Sequence, residues 1–251
     1  MDEVTLHSDA QAWIPARIVA IDDLTPGIKR IVLRPHEWRR PRPGQHVDVR
    51  LTAEDGYQTH RSYSVLSPPG HHGVYELAVE RIEGGEVSPY FHDTAQLGDD
   101  VEVFGPVGGH FIWDGRSPAL LIGGGSGLVP LLAMAAHRVE TVATDPMVLI
   151  AATRTSADVP LLGSMLGWEE RGNGFTVLFA HSRLAVPFRS QDRAGRIDTE
   201  LIQRGLSLLA FPQSEFICYI CGSNAFVESV VSMLLSLDVS SGSIRTERFG
   251  E

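Results

Sequence analysis

Two glycine-rich segments of this 251-residue chain are shaped to hold an anion. The first is Gly84-Gly85-Glu86-Val87-Ser88-Pro89. Paired glycines let a backbone approach a ligand closely. Ser88 suits a helix N-cap and Pro89 a first helical position, and a helix N-terminus offers unpaired N–H groups to a phosphate. The second is Gly123-Gly124-Gly125-Ser126-Gly127-Leu128-Val129-Pro130, set between an apolar run and a helical stretch. Glycines there permit a tight turn against a pyrophosphate, although the spacing is not G-x-G-x-x-G. Upstream lies Arg61-Ser62-Tyr63-Ser64, which combines a fork for phosphate, a flat aromatic face and small hydroxyl donors. Taken singly, these segments also read as plain turns and as a strand with one exposed arginine.

Other reactive types are less committed. Cys218 and Cys221 have C-x-x-C spacing but lie in an apolar run that reads as a buried strand, and two cysteines cannot ligate a four-cysteine iron–sulfur cluster. The histidines, His71-His72 among them, match no metal-site spacing, so no metal is expected. Arg39, Arg40 and Arg42 beside Trp38 form either a solvated loop or a docking patch for an acidic electron carrier.

Two kinds of structure must position these groups. Up to about residue 112, Val47-Asp48-Val49-Arg50-Leu51, Tyr75-Glu76-Leu77-Ala78-Val79-Glu80 and Val101-Glu102-Val103-Phe104 alternate apolar and polar, as half-buried strands do. Short strands punctuated by Gly and Pro predict a small antiparallel β-barrel over 1–113. After Arg116-Ser117-Pro118, apolar runs at 119–122, 147–151, 175–179 and 216–220 alternate with helical stretches, notably 128–139 and 224–237. That pattern predicts an α/β domain with a parallel sheet over 114–251.

In this order the motifs resemble the ferredoxin–NADP reductase superfamily, over nearly the whole chain from about residue 16 to 249. The resemblance is to the bacterial oxygenase-reductase branch, without an attached ferredoxin domain. Arg-x-Tyr-Ser/Thr is that family's flavin motif. The resemblance therefore implies that Arg61 pairs with flavin phosphate, Tyr63 stacks on the isoalloxazine, and Ser64 hydrogen-bonds near N5, with Ser62 between them. It makes Gly85, Val87 and Ser88 phosphate ligands, and Gly124, Gly125, Ser126 and Gly127 the NAD(P)H loop. Cys221, Gly222 and Ser223 would lie beside the nicotinamide, with Cys221 a positioning group or simply a buried strand-end thiol. Glu247 and Phe249 resemble the family's terminal Glu-x-Phe, whose aromatic covers the flavin face. Pro43-Gly44-Gln45 and Gly105-Pro106-Val107-Gly108 match structural turns of the family.

The implied enzyme passes hydride from NAD(P)H to bound FAD, and electrons onward, singly, to an external iron–sulfur or haem protein. FMN fits the same motif; FAD is the commoner cofactor of the family. NADPH is expected over NADH, because Ser182-Arg183 ends the third α/β strand where NAD-specific sites carry an acid. Arg189 and Arg193 follow nearby, and Arg183 also reads as the start of a solvated loop. A flavin or ferric reductase with a small-molecule acceptor is a rival. So is a non-catalytic electron-transfer subunit, which would carry a C-terminal iron–sulfur cysteine cluster not seen here. The net charge of -10 and pI of about 5.4, with Lys29 the sole lysine, argue against nucleic acid and anionic membranes as partners. No signal peptide or apolar span is evident, so a cytoplasmic protein is expected. Oligomeric state is not readable.

Overall fold

The computed structural model describes residues 12–212 and 215–249. Six strands come first: β1 (Ile14–Thr25), β2 (Ile28–Pro35), β3 (His46–Thr52), β4 (Gln58–Ser64), β5 (Tyr75–Glu80) and β6 (Asp100–Val107). They form one antiparallel sheet in the order β4-β3-β6-β1-β2-β5. A bridge between Val65 and Leu77 joins its two edges and closes the barrel. The alternation seen in the sequence is the cause: Val47 and Val49, Leu77 and Val79, Val101 and Val103 all point into one core. A helical turn, α1 (Val87–Pro89), follows β5, and Phe91 just beyond it plugs that core.

The second sheet is wholly parallel, in the order β10-β9-β8-β7-β11-β12. Its strands are β7 (Ala119–Gly124), β8 (Met147–Thr153), β9 (Phe175–His181), β10 (Arg193–Ala194), β11 (Ile217–Gly222) and β12 (Ile244–Arg248). The central strands are apolar throughout because helices cover both faces. One face carries α2 (Leu128–Glu140) and α3 (Leu162–Glu170); the other carries α4 (Thr199–Leu209) and α5 (Asn224–Ser236). Period two sends Cys218 into the second layer and Cys221 into the first, so the C-x-x-C thiols lie on opposite sides of the sheet and form no redox pair.

The sheets meet through a shared apolar cluster. Ile28, Leu66, Ala78 and Phe111 from the barrel side pack with Leu128, Leu131, Tyr219 and Cys221. Phe111 stands edge-on to Tyr219 at 5.4 Å, and the Tyr219 hydroxyl donates to the Ile112 carbonyl at 2.8 Å. The glycine of Pro43-Gly44-Gln45 has φ +98°, and a Cβ there would fall 1.9 Å from the Phe111 carbonyl oxygen. Only glycine fits this seam.

Candidate functional site

The order of the parallel sheet locates the site. From β7 the chain runs outward through β8, β9 and β10, then returns to place β11 on the other side of β7. Ligands of such sheets bind at the carboxyl ends where the direction reverses. Here that point holds Gly123 and Gly124 at the end of β7, and Cys221 and Gly222 at the end of β11, with Cys221 paired to Gly123. The glycines of the turn divide by cause. A Cβ on Gly127 would come 2.4 Å from the Cys221 carbonyl oxygen, and one on Gly124 would meet the Phe226 ring at 3.1 Å. Gly125 has φ +57° and open space around it. Gly127 thus lets α2 approach β11, whereas Gly125 and Ser126 form the open lip. Strand β5 of the barrel abuts this turn.

Just past the end of β4, Val65 bridges Leu77 of that same strand β5. Arg61 pairs in register with Val49, Tyr63 with Val47 and Ser64 with His46. The Arg61 side chain is exposed, and its described partner is the adjacent His60 carbonyl at 2.7 Å, an easily surrendered contact. Tyr63 is half-buried and edge-on to Phe91 at 6.2 Å; burial raises its phenol far above the usual range, so it stays neutral. The Ser62 hydroxyl donates to Asp48, so its proton is committed within the barrel and its oxygen remains only as an acceptor. Ser64 is 5% exposed, and its buried hydroxyl oxygen has no hydrogen-bond partner among the described residues. A buried orphan hydroxyl is costly unless a ligand completes it. This observation fits a flavin edge at Ser64.

At the phosphate segment the expected cap is different. The turn α1 begins at Val87, with Glu86 as its N-cap, so Ser88 lies inside it. The Ser88 hydroxyl instead accepts from the Ile82 N–H at 3.1 Å and thereby closes the glycine loop. Gly85 N–H donates to the Ile82 carbonyl at 3.1 Å. Val87 sends its side chain into the barrel core and offers only its main chain.

At the switch point, Cys221 and Glu247 are paired positions of β11 and β12. Burial lifts the Glu247 carboxyl to about 7. Burial first, then Glu247, pushes the Cys221 thiol well above its ordinary range, so it is no thiolate nucleophile. The Ser223 hydroxyl accepts from Phe226 N–H at 3.3 Å and caps α5. Phe249 N–H donates to the Gly222 carbonyl at 3.0 Å, and its half-buried ring packs on the cluster shared by the two sheets. Gly250 and Glu251 of the terminal motif lie outside the described residues.

Two arginines meet past the ends of β8 and β9. Arg183 N–H donates to the Arg154 carbonyl at 2.9 Å, and Ser182 N–H to the Thr153 carbonyl at 3.0 Å. Both arginines are exposed, and neither is in an ion pair with a described carboxylate. Arg189 and Arg193 differ. Arg189 binds Glu169, Asp192 and the Val177 carbonyl, and Arg193 pairs with Asp198 at 2.6 Å, so both serve the fold. Sequence reasoning overlooked Arg154. The available signal was Thr153-Arg154 at the end of β8, resembling Ser182-Arg183 just after β9.

Residues 29–112 match the model of the oxidoreductase FAD-binding domain, and residues 121–232 that of the oxidoreductase NAD-binding domain. The chain belongs to the ferredoxin–NADP reductase superfamily. As such it is a flavoprotein NAD(P)H reductase with an FAD-binding barrel and a nicotinamide-dinucleotide-binding sheet. It is 29% identical over 259 residues to the ferredoxin–NAD(P)(+) reductase component of the naphthalene 1,2-dioxygenase/salicylate 5-hydroxylase systems of Ralstonia sp, covering 99% of this chain and 72% of the relative. It is 27% identical to the propane 2-monooxygenase reductase component of Mycolicibacterium goodii, covering 88% and 63%. Against the flavohemoprotein of Bacillus cereus the identity is 28%, covering 83% and 53%. The chain therefore spans from 53% to 72% of the length of these relatives. Among solved structures, a cytochrome P450 reductase from Amycolatopsis superposes with TM-score 0.80 at 26% identity, over 95% of this chain and 70% of that one. A ferredoxin NADP+ reductase from Neisseria gonorrhoeae shares the fold at TM-score 0.80 and 19% identity, covering 94% and 98%. No helix among the described residues is long and apolar enough to cross a membrane.

Proposed function

We propose that this superfamily member is the reductase of a multicomponent oxygenase-type system, oxidising NADPH and delivering electrons singly to a separate iron–sulfur or haem protein. The observation that carries it is the buried, unpartnered Ser64 hydroxyl on a barrel whose β5 abuts the switch-point turn Gly125–Gly127. Bound FAD supplies the centre that accepts hydride at N5 and releases electrons one at a time.

The chain's own residues bind and orient. Arg61 swings from His60 to a flavin phosphate, Tyr63 offers its ring face, and Ser64 donates beside N5. Gly85, Val87 and Ser88 present the loop to the flavin pyrophosphate, the first two through main chain. Gly124, Gly125, Ser126 and Gly127 do the same for the nicotinamide dinucleotide. Cys221 and Gly222 wall the nicotinamide pocket, Ser223 fixes the start of α5, and Glu247 supplies a carboxyl able to hold a proton near neutral pH. Phe249 covers the flavin face until nicotinamide displaces it. Ser182 and Arg183, joined by Arg154, select the 2′-phosphate. We place the domain division at 113/114, within the connection between β6 and β7, and the protein in the cytoplasm.

The deciding experiment is the absorption spectrum of the pure protein, identification of released flavin, and anaerobic titration with NADPH and NADH. FAD release with bleaching by NADPH is expected. Released FMN would correct the cofactor, and a folded protein that neither contains nor takes up flavin would refute the reading. Turnover with free flavin or ferric chelates but with no protein acceptor would favour the small-molecule reductase.

A further inference from the structure

We infer that Tyr57, Thr59 and Glu86 form an adenosine subsite through which this chain selects FAD over FMN. The inference rests on the flavoprotein reading above and names residues for the half of the cofactor beyond the phosphates.

Period two decides which groups of β4 share a face. Tyr57, Thr59, Arg61 and Tyr63 are alternate residues, and Ala53 N–H donates to the Tyr57 carbonyl at 2.8 Å, which carries the pairing one residue ahead of the strand. The four therefore stand in one row. The Tyr57 hydroxyl donates to both carboxylate oxygens of Glu86, at 3.1 and 3.3 Å, and the Thr59 hydroxyl donates to Glu86 Oε2 at 2.9 Å. At the other end Tyr63 stands edge-on to Phe91. The row thus runs along residues 86–91, next to the Gly84-Gly85 loop. Hydrogen bonding to Glu86 raises the Tyr57 phenol, and burial raises that of Tyr63. The Arg61 charge opposes both, so the guanidinium lies within reach of the two rings.

From the Ser64 end outward, the row presents an aromatic face, a cation, a hydroxyl with a carboxylate, and a second aromatic face. FAD carries its parts in that order: isoalloxazine, phosphates, ribose, adenine. FMN ends at its phosphate. It would use Tyr63 and Arg61 and leave the stretch from Arg61 to Tyr57, about 13 Å of strand, without a partner. Two further features mark the far end as a ligand platform. Tyr57 is 57% exposed, the most exposed Phe, Tyr or Trp among the described residues, yet its hydroxyl is clipped to Glu86. The clip fixes the ring and leaves its face open, so a flat base stacks there at little ordering cost. Glu86, for its part, forms no ion pair with Arg61 among the described residues and is held by neutral hydroxyls instead. That leaves the Arg61 fork for phosphate. Glu86 Oε1 accepts only from Tyr57 and keeps a lone pair for a ribose hydroxyl.

The test measures flavin affinity and not turnover. The full chain is stripped of flavin under conditions from which added FAD restores its spectrum, and FAD and FMN are then titrated separately, the shift of the flavin absorption band giving Kd. Wild type should bind FAD about tenfold or more tighter than FMN. Tyr57→Ala should weaken FAD by about tenfold to a hundredfold, as the loss of a base–aromatic stack does, and leave FMN unmoved. Unmoved FMN binding also shows that the barrel of the variant is folded. Tyr57→Phe keeps the ring and should stay within a few-fold of wild type for FAD. Glu86→Gln should weaken FAD less than Tyr57→Ala does and again spare FMN. A wild type that binds the two flavins equally overturns the subsite while leaving the reductase reading intact. So does a Tyr57→Ala variant that holds FAD as tightly as wild type, or one that weakens both flavins alike, since the clip would then only brace the loop. A folded wild type with no affinity for either flavin removes the reductase reading as well.

Discussion

Cys221 on β11 and Glu247 on β12 stand side by side in a parallel pair, at the point where the sheet reverses direction. One is a thiol that burial keeps protonated; the other is a carboxyl lifted by burial to about 7. No cation is in an ion pair with Glu247 among the described residues. The pair gives the switch point a buried neutral thiol and one carboxyl proton that exchanges near neutral pH.

That lifted carboxyl has a measurable cost. Its ordinary value is 4.5 and its folded value about 7, so the folded chain retains a proton that the unfolded chain has lost between those limits. Destabilisation is absent below about 4.5, grows through the window and is complete above about 7, reaching at most roughly 3 kcal/mol. Glu247→Gln should therefore unfold at higher temperature than wild type at pH 8 and at the same temperature at pH 4. A gap in Tm that is the same at both pH values would show that Glu247 is not held in this state.

The two central glycines of the turn should fail differently. Gly127→Ala drives a methyl into the Cys221 carbonyl, at 2.4 Å, and should cost about 1–3 kcal/mol of stability. Gly125→Ala meets nothing within 4 Å and pays only for its φ of +57°, about 1–2 kcal/mol. Its larger effect should be a raised KM for the nicotinamide dinucleotide, since the new methyl stands on the open lip. Denaturant unfolding and steady-state kinetics separate the two. Equal stability loss with unchanged KM would deny the division of roles.

The alternation at Val47-Asp48-Val49 and the apolar run 119–122 revealed barrel and parallel sheet because each strand's period records its own burial. Contacts between distant segments left no such trace. Gly127 looked like a ligand glycine, but its tightest constraint is a carbonyl on β11, and Ser88 looked like a cap until the Ile82 N–H claimed its hydroxyl. Arg154 stayed hidden because its closeness to Arg183 depends on β8 and β9 lying in register.

Arg61→Ala should weaken flavin retention without unfolding the barrel, because the side chain is exposed and gives up only the His60 carbonyl. Losing a charge-assisted phosphate bond should cost about 1.5–3 kcal/mol, or roughly tenfold to a hundredfold in Kd. Flavin fluorescence on dialysis reads this directly. A variant that holds flavin as tightly as wild type would take Arg61 out of the site.

NADPH should be preferred to NADH, and both exposed arginines should carry the preference. They sit past the carboxyl ends of neighbouring strands, where the adenosine ribose of such a fold lies. Neither forms an ion pair with a described carboxylate, so both forks are free for a phosphate dianion. The adjacent candidates are occupied, Arg189 by Glu169 and Asp192 and Arg193 by Asp198. A hydrogen bond to a charged phosphate contributes roughly 1.5–3 kcal/mol. Arg183→Ala should thus lower kcat/KM for NADPH by about tenfold to a hundredfold and leave NADH almost unchanged. Arg154→Ala should act in the same direction, and the double variant should lose less than the sum, because both forks share one ligand. Wild-type efficiencies that are equal for the two cofactors would sink the assignment. So would an NADPH advantage that survives both substitutions; exposed Arg196, one residue past Gly195, whose N–H donates to the His181 carbonyl at 2.9 Å, would then be the guanidinium to remove next.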